Sequence, residues 1–84
     1  MKVGFSERSW SEYLEWQKTD RKMVERINVL IREIGRDPFS GIGKPEPLKN
    51  ALSGWWSRRL DSEHRIVYKI IDGTLWIGQL KHHY

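Results

Sequence analysis

The fold is decided by residues 53–81, which read SGWWSRRLDSEHRIVYKIIDGTLWIGQLK. Apolar and polar residues alternate along much of this stretch, and a period of two is typical of half-buried strands. We predict three strands, over residues 54–60, 65–71 and 75–81. They are joined by Asp61-Ser62-Glu63 and by Asp72-Gly73, and the second connection is a strong hairpin signal. The stretch therefore predicts an antiparallel meander.

The register of the last hairpin decides which side chains near the C-terminus share a face with Arg65. A two-residue Asp72-Gly73 loop places odd positions of one strand beside even positions of the next, whereas a three-residue loop with a left-handed glycine restores parity. Only the longer loop places Arg65, Lys81 and His83 on one face without a further bulge. We favour the three-residue loop for this functional reason.

Two helices are predicted upstream of the meander. The first runs from residue 7 or 10 to residue 17, and Ser9 and Glu12 have the spacing of a capping box. Thr19 can cap the second helix and Gly35 can end it. Apolar residues recur along the second helix with a 3.6-residue period, at Met23, Val24, Ile27, Leu30, Ile31 and Ile34. We expect both helices to cover the side of the sheet that carries Ile66, Tyr68 and Ile70.

A further short strand is predicted over residues 1–5, and Trp10 and Trp16 are expected to be packing residues. The chain has 84 residues, a length at which a core has room for one layer of helices on one sheet. The prediction is a single domain, residues 1–84, of the α+β class, with two N-terminal helices on a small, mainly antiparallel sheet.

Composition narrows the classes of function. The chain carries a net charge of +4 and has no cysteine, which excludes disulfides, thiolate metal sites and thiol nucleophiles. No apolar run approaches the length of a membrane span, so we expect a cytoplasmic protein without membrane contact. Residues 44–84 carry seven cations and four anions, so this half would face a polyanion, although a solvated surface explains the charge equally well.

The residue types that suit acid–base catalysis and RNA binding are concentrated in residues 43–64, which read GKPEPLKNALSGWWSRRLDSEH, and in the C-terminal KHHY. Glu46 stands among Lys44, Lys49, Arg58, Arg59 and two tryptophans, with His64 and Arg65 immediately after. Such a combination suits the binding of an RNA backbone and proton transfer on it. Because Pro45 and Pro47 flank Glu46, no regular element is expected across residues 35–47, and the loop is either a stiff connector or a device that pre-positions Glu46.

No metal site is evident, because there is no HExxH helix or carboxylate cluster, and His82 and His83 are adjacent and would point to opposite faces of a strand. No phosphate-binding glycine loop or nucleophile elbow is present either. Glu, His and Arg remain, and these suffice for RNA cleavage by internal attack of the 2′-hydroxyl. We expect neither a metal nor another cofactor.

A family resemblance covers nearly the whole chain. The segments SW-x-x-YL-x-WQ-x-TD, IN-x-LI, DPFSGIGKPEPLKNALSGWWSRRLDSEHRIVYKI and the terminal HY resemble the YoeB toxins of the RelE superfamily. The resemblance implies a ribosome-dependent mRNA endonuclease of a type II toxin-antitoxin system, acting on mRNA in the A site of the 70S ribosome. It also implies a RelE-like fold, a YefM-type antitoxin partner, a homodimer, and contact with operator DNA through the antitoxin complex alone.

The resemblance implies a role for each matching residue. Glu46 matches the general base, Arg65 the arginine that stabilises the phosphate, and His83 the general acid. Tyr84 matches a terminal tyrosine that positions substrate, and Lys49 and Arg59 match cations near the RNA backbone. His82 and Lys81 depart from the aromatic residue and the arginine expected before the HY pair. The alternative function is a basic module that occludes RNA or a ribosomal site without cutting it.

Overall fold

Two helices pack on one face of a mixed sheet in the part of the chain that the computed structural model describes, residues 1–82. The elements are β1 (Lys2–Phe5), α1 (Glu7–Thr19), α2 (Arg21–Arg36), β2 (Glu46–Pro47), a 3₁₀ turn (Asn50–Leu52), β3 (Trp56–Arg59), β4 (Arg65–Ile71) and β5 (Thr74–Gln79). The predicted α+β class is confirmed. Neither helix has the length and hydrophobicity that crossing a bilayer would require.

The strand order in the sheet is β1-β5-β4-β3-β2. The predicted meander is formed by β3, β4 and β5, and β2 adds an antiparallel strand beside β3. The N-terminal β1 lies at the opposite edge and is parallel to β5, with Lys2 beside Thr74 and Phe5 beside Ile77. The first and last strands of the described chain are therefore neighbours.

The β4–β5 hairpin has a two-residue turn, so the predicted three-residue loop is wrong. Asp72 and Gly73 both have positive φ, +48° and +73°, as a type I′ turn requires, and Ile71 pairs with Thr74. The twist of this turn matches that of the flanking strands, which is why an Asp-Gly pair favours the shorter loop.

A β-bulge in the same hairpin places odd-numbered residues opposite odd-numbered residues, which the two-residue turn alone would not do. Tyr68 pairs with Ile77, but the next pair is Val67 with Gln79, which leaves Gly78 as an extra residue on β5. Beyond the bulge, odd positions lie opposite odd positions. The pairing that we expected from a longer turn is therefore supplied by an inserted residue further along the strand.

Helix α1 begins one turn before the predicted capping box. Ser6 is the cap, and its Oγ accepts the N–H of Ser9 at 3.0 Å. Ser9 and Glu12 are inside the helix and buried, where they bind β5 and the residue that follows it. Ser9 Oγ donates to the Ile77 carbonyl at 2.7 Å, and Glu12 accepts the Leu80 N–H at 2.7 Å. The capping-box prediction is wrong because Ser6 is the cap, and the Ser9 and Glu12 side chains bind main-chain groups of Ile77 and Leu80.

Helix α2 begins at a cap one residue later than predicted. Asp20 accepts the N–H of Met23 at 3.1 Å, whereas Thr19 is the last residue of α1. Gly35 lies inside α2, which ends at Arg36. Helix ends depend on a few local hydrogen bonds, so neighbouring Thr and Asp residues are equally good candidates from sequence.

The core lies between the helices and the sheet. Its fully buried members include Ile27, Leu30, Ile34, Ile66, Tyr68, Leu75, Ile77 and Leu80. Trp16 is 8% exposed and its Nε1 donates to the Leu80 carbonyl at 3.0 Å, as expected of a packing residue. Trp10 also packs, against Phe5 and Tyr13, but at the surface, where it is 48% exposed.

Candidate active site

Glu46 is held on the sheet, and not in a free loop. It lies in β2, directly opposite Ser57 of β3. Upstream, the Gly43 carbonyl accepts the Arg59 N–H at 2.7 Å, and a Cβ on Gly43 would lie 3.3 Å from the Arg59 carbonyl oxygen. The segment before Glu46 is thus docked along β3. No helix or strand crosses residues 35–47, as expected, although α2 extends to Arg36 and β2 begins at Glu46.

Arg65, the first residue of β4, points to the same face as Glu46. The Arg65 Nη2 donates to Glu46 Oε1 at 2.7 Å, and its Nε donates to Ser57 Oγ at 3.0 Å. Arg65 is 7% exposed, whereas half of the Glu46 side chain is exposed. The two hydrogen bonds therefore fix the Arg65 guanidinium, and the Glu46 carboxylate that it contacts is partly exposed to solvent.

Ser57 is a site residue that sequence reasoning missed. It is fully buried, pairs with Glu46 across the strands, and orients the Arg65 guanidinium. A small polar residue between two tryptophans and two arginines was the available signal, since alternation places it on the face opposite to Trp56. Without the pairing of β2 with β3, that signal names no partner.

Arg59 and Lys49 are exposed cations near this pair. Arg59 lies directly opposite Arg65 across β3 and β4, and cross-strand partners share a face of the sheet. Lys49 lines an open groove of about 460 Å³ formed by residues 46–52, which begins at Glu46. The structure thus brings Glu46, Arg65 and Arg59 together, with Lys49 in the adjoining groove.

Arg58 does not belong to the cluster of cations predicted around Glu46. Its side chain is fully buried on the helix side of the sheet, where Nε donates to the Tyr68 hydroxyl at 3.1 Å. The guanidinium also donates to the carbonyls of Asp37, Ser40 and Ile42. Arg58 therefore ties the loop after α2 to the sheet. Burial raises the pKa of Tyr68, and the bond from Arg58 opposes that rise.

The two adjacent tryptophans lie on opposite faces of β3. Trp56 packs on the core side, with its ring centroid 4.9 Å from that of Phe39. The ring of Trp55 lies over Gly78, where a Cβ would come within 2.8 Å of the indole, and Lys69 Nζ is 4.4 Å from its centroid. Of the pair, Trp55 alone shares the open face with Arg65.

The chain returns to this site after β5. The Arg65 N–H donates to the His82 carbonyl at 3.2 Å, and His64 Nδ1 accepts the His82 N–H at 2.8 Å. His83 and Tyr84, predicted as general acid and substrate-positioning residue, lie outside the described residues. Their roles stay predictions.

One group among residues 1–82 has the composition of a metal site. Potential ligand atoms of Glu63, His64 and His82 all lie within 4.8 Å of one another. However, His64 Nδ1 accepts an N–H, so the neutral ring carries its proton on Nε2, the atom that is 3.8 Å from Glu63. Metal binding through Nε2 would move the proton of the neutral ring to Nδ1, which could then no longer accept the His82 N–H. The geometry therefore does not favour a resident ion.

The loop between β3 and β4 is fixed by Asp61. Its Oδ1 accepts the N–H groups of Glu63 at 2.8 Å and His64 at 2.6 Å. Burial by itself would raise the pKa of Asp61, but the hydrogen bonds from His64 and Glu63 lower it below its usual value. The ionised carboxylate therefore stabilises the loop that presents His64.

We expect acidification to remove this contribution of Asp61 to stability. A carboxylate with a lowered folded-state pKa stabilises the fold above its unfolded value, near 3.8, and this stabilisation is lost as the pH falls through the folded value. Urea denaturation should give a higher free energy of unfolding for wild type than for Asp61→Asn at neutral pH, and this difference should shrink well below pH 3.8. A difference in free energy of unfolding that does not change with pH would contradict the stabilising role of the Asp61 carboxylate.

Comparison with known proteins identifies the family. Residues 5–84 match the model of the YoeB-like toxin of bacterial type II toxin-antitoxin systems. The chain belongs to this family. Toxin YoeB of a Synechocystis species is 58% identical over 100% of this chain and 98% of its own. The YoeB toxins of Streptomyces coelicolor and Escherichia coli K12 are each 54% identical over the full length of both chains.

Solved structures of YoeB-like toxins superpose along the whole chain. The YoeB/ParE toxin from Agrobacterium tumefaciens has a TM-score of 0.96 and 50% identity, covering 100% of both chains. A YoeB dimer from Staphylococcus aureus has a TM-score of 0.94 and 42% identity, and a YoeB–YefM complex from that organism has 0.93 and 41%, each covering 100% of this chain and 98% of the other. The mixed sheet with two helices is therefore the family's fold.

Proposed function

We propose that this YoeB-like toxin is a metal-independent endoribonuclease that cleaves mRNA in the ribosomal A site and so inhibits translation. The observation that carries the proposal is the Glu46–Arg65 pair, 2.7 Å apart on the open face of the sheet. A carboxylate that can accept a proton stands beside a cation that can bind a phosphate. Ser57 holds the guanidinium, so the cation does not reorganise when a substrate arrives.

In the proposed reaction, the 2′-oxygen attacks the adjacent phosphorus as the bond from phosphorus to the 5′-oxygen breaks. Glu46 takes the proton of the 2′-hydroxyl, and His83 gives a proton to the departing 5′-oxygen. Arg65 binds the phosphate oxygens, on which negative charge grows. The products are a 2′,3′-cyclic phosphate, or the 3′-phosphate formed by its hydrolysis, and a 5′-hydroxyl.

Binding of the RNA is assigned to three further residues. Arg59 is next to Arg65 on the same face, so the two guanidiniums offer a binding surface to consecutive phosphates. Lys49 extends this positive surface into the groove of residues 46–52. Tyr84 is assigned to base stacking, which contributes about 1–3 kcal/mol for an aromatic side chain.

The partners follow from the relatives and from the chemistry of the surface. A YoeB–YefM complex is known for the S. aureus relative, and we propose a YefM-type antitoxin for this chain. An acidic segment of the antitoxin would cover Lys49, Arg59 and Arg65 in competition with RNA. A YoeB dimer is known for the same organism, and we propose a homodimer here. In this proposal the toxin binds the ribosome and mRNA in the cytoplasm, and it contacts operator DNA only as part of the antitoxin complex.

The decisive test uses pre-formed ribosome–mRNA complexes mixed rapidly with toxin and excess chelator. Because the nucleophile is the substrate's own 2′-hydroxyl, no metal-bound water is needed, and cleavage should proceed at the same rate with and without chelator. End-group mapping should find a 5′-hydroxyl opposite a cyclic or 3′-phosphate. A strict magnesium requirement of the chemical step, or a 5′-phosphate product, would overturn the proposal.

A further inference from the structure

Both main-chain polar groups of residue 82 are held by side chains or strands of the site. His64 Nδ1 accepts the His82 N–H at 2.8 Å. On the other side, the His82 carbonyl accepts the Arg65 N–H at 3.2 Å and the Gln79 Nε2–H at 3.4 Å. Gln79 Nε2 also donates to the Lys81 carbonyl at 2.7 Å. The backbone is thus fixed immediately before the last two residues of the chain.

His64 is itself rigidly placed. Its side chain is 12% exposed, and its ring meets the edge of Trp16 at 4.9 Å between centroids. Asp61 holds the His64 N–H, and the Trp16 indole is fixed by its bond to the Leu80 carbonyl. The ring contact with Trp16 and the anchored main chain of His64 hold Nδ1 in place as an acceptor.

The backbone conformation of His82 is unusual. Its φ is +62°, a left-handed value that is uncommon for residues other than glycine. Its side chain is 64% exposed. A strained residue persists where its surroundings determine it, and here His82 donates a hydrogen bond to His64 and accepts hydrogen bonds from Arg65 and Gln79.

We propose that His64 is a positioning residue: by holding the main chain of residue 82 beside Arg65, it supports the roles proposed for His83 and Tyr84. This inference rests on the function proposed above. His64 touches no reacting atom in this scheme and acts through the backbone. Its Nδ1 must lack a proton to accept the His82 N–H, so the imidazole works in its neutral form.

The test compares substitutions of His64 that differ in one acceptor. His64→Asn places an amide oxygen near the position of Nδ1, whereas His64→Leu removes the acceptor, and both lose the ring contact with Trp16. We expect His64→Leu to lower single-turnover kcat by about 10- to 100-fold with KM nearly unchanged. His64→Asn should recover most of the rate, and amide exchange at residue 82 should be faster in the leucine variant than in the asparagine variant.

Two further variants keep the test decisive. If His64→Leu does not fold, His64→Gln replaces it, because its longer amide cannot reach the Nδ1 position. His82→Asn tolerates the left-handed backbone and keeps the N–H, so it should cleave at the wild-type rate. Equal rate losses in His64→Asn and His64→Leu, or a wild-type rate in His64→Leu, would overturn the role of His64.

Parallel measurement of Glu46→Gln separates this inference from the proposed function. A slow Glu46→Gln with a fast His64→Leu overturns the positioning role and leaves the nuclease intact. A wild-type rate in Glu46→Gln overturns the proposed chemistry, and the positioning role with it.

Discussion

Glu46→Gln should lower the single-turnover rate of mRNA cleavage by a factor on the order of 10²–10⁴, the usual contribution of a general acid or base. The amide keeps the shape of the carboxylate and its acceptor for Arg65, but it cannot take the 2′-hydroxyl proton. His83→Gln should cause a loss of similar size. Because the reaction needs Glu46 ionised and His83 protonated, the wild-type rate should rise and then fall with pH.

The two variants should differ in which limb of the pH profile they lose. Glu46→Gln should lose the rise on the acidic side, and His83→Gln the fall on the basic side. Ribosome affinity, measured separately, should change little, because neither residue is a main binding cation. Wild-type rates in both variants would exclude them as the base and the acid. Poor ribosome binding by both would favour the occluding module over the nuclease.

Arg58→Met and Arg59→Met should change different properties, stability and substrate binding respectively, although the two arginines are adjacent. Arg58 is fully buried and donates to the Tyr68 hydroxyl and to carbonyls of the loop after α2. Its removal leaves the buried Tyr68 hydroxyl and three partly buried carbonyls without this donor, and since a buried acceptor left unpaired costs about 1–3 kcal/mol, stability should fall by about 3 kcal/mol. Arg59→Met should change stability by less than about 0.5 kcal/mol, because Arg59 is exposed.

Arg59→Met should instead weaken substrate binding and reduce its dependence on salt, since it removes one of the proposed phosphate contacts. Chemical denaturation gives the stability of each variant, and titration of ribosome complexes over a range of salt concentrations gives the binding. If Arg58→Met were as stable as wild type, the hydrogen bonds drawn from its guanidinium would not be what holds the loop.

The two arginines also show where sequence reasoning stopped. Alternation places Arg58 and Arg59 on opposite faces of β3, but it does not say which face the helices cover. A charged residue is seldom fully buried, so Arg58 was grouped with the cations around Glu46. Its burial depends on carbonyl partners about 20 residues upstream in the chain, a contact between distant segments that no local pattern encodes.

The strands and helices were predictable because each depends on a local pattern. The period-two meander and the apolar stripe of α2 needed neighbouring residues alone, and both are confirmed. The Gly78 bulge had a signal, an isolated glycine within a strand pattern, but the register also depends on the turn. Ser9 and Glu12 fitted a capping box by spacing, yet their partners lie on or just after β5.

The candidate site was predictable in its residues more than in its geometry. Glu46, Arg59 and Arg65 were named from the sequence, and the structure places them together. Ser57 and the hydrogen-bond partner of His64, the main chain of residue 82, were not predicted, because both depend on which strands become neighbours. A side chain that acts by positioning another group can be of many residue types, so its identity alone does not reveal its role.

The parallel pairing of β1 with β5 has a consequence for how the chain is made. Lys2 lies beside Thr74, so the first strand has no neighbour in the sheet until nearly the whole chain has been synthesised. Contacts between such distant residues form late and slowly, and a small domain of this kind folds as one unit. The sheet therefore stays incomplete until β5 has been synthesised. For a toxin, this order withholds the finished fold until that point.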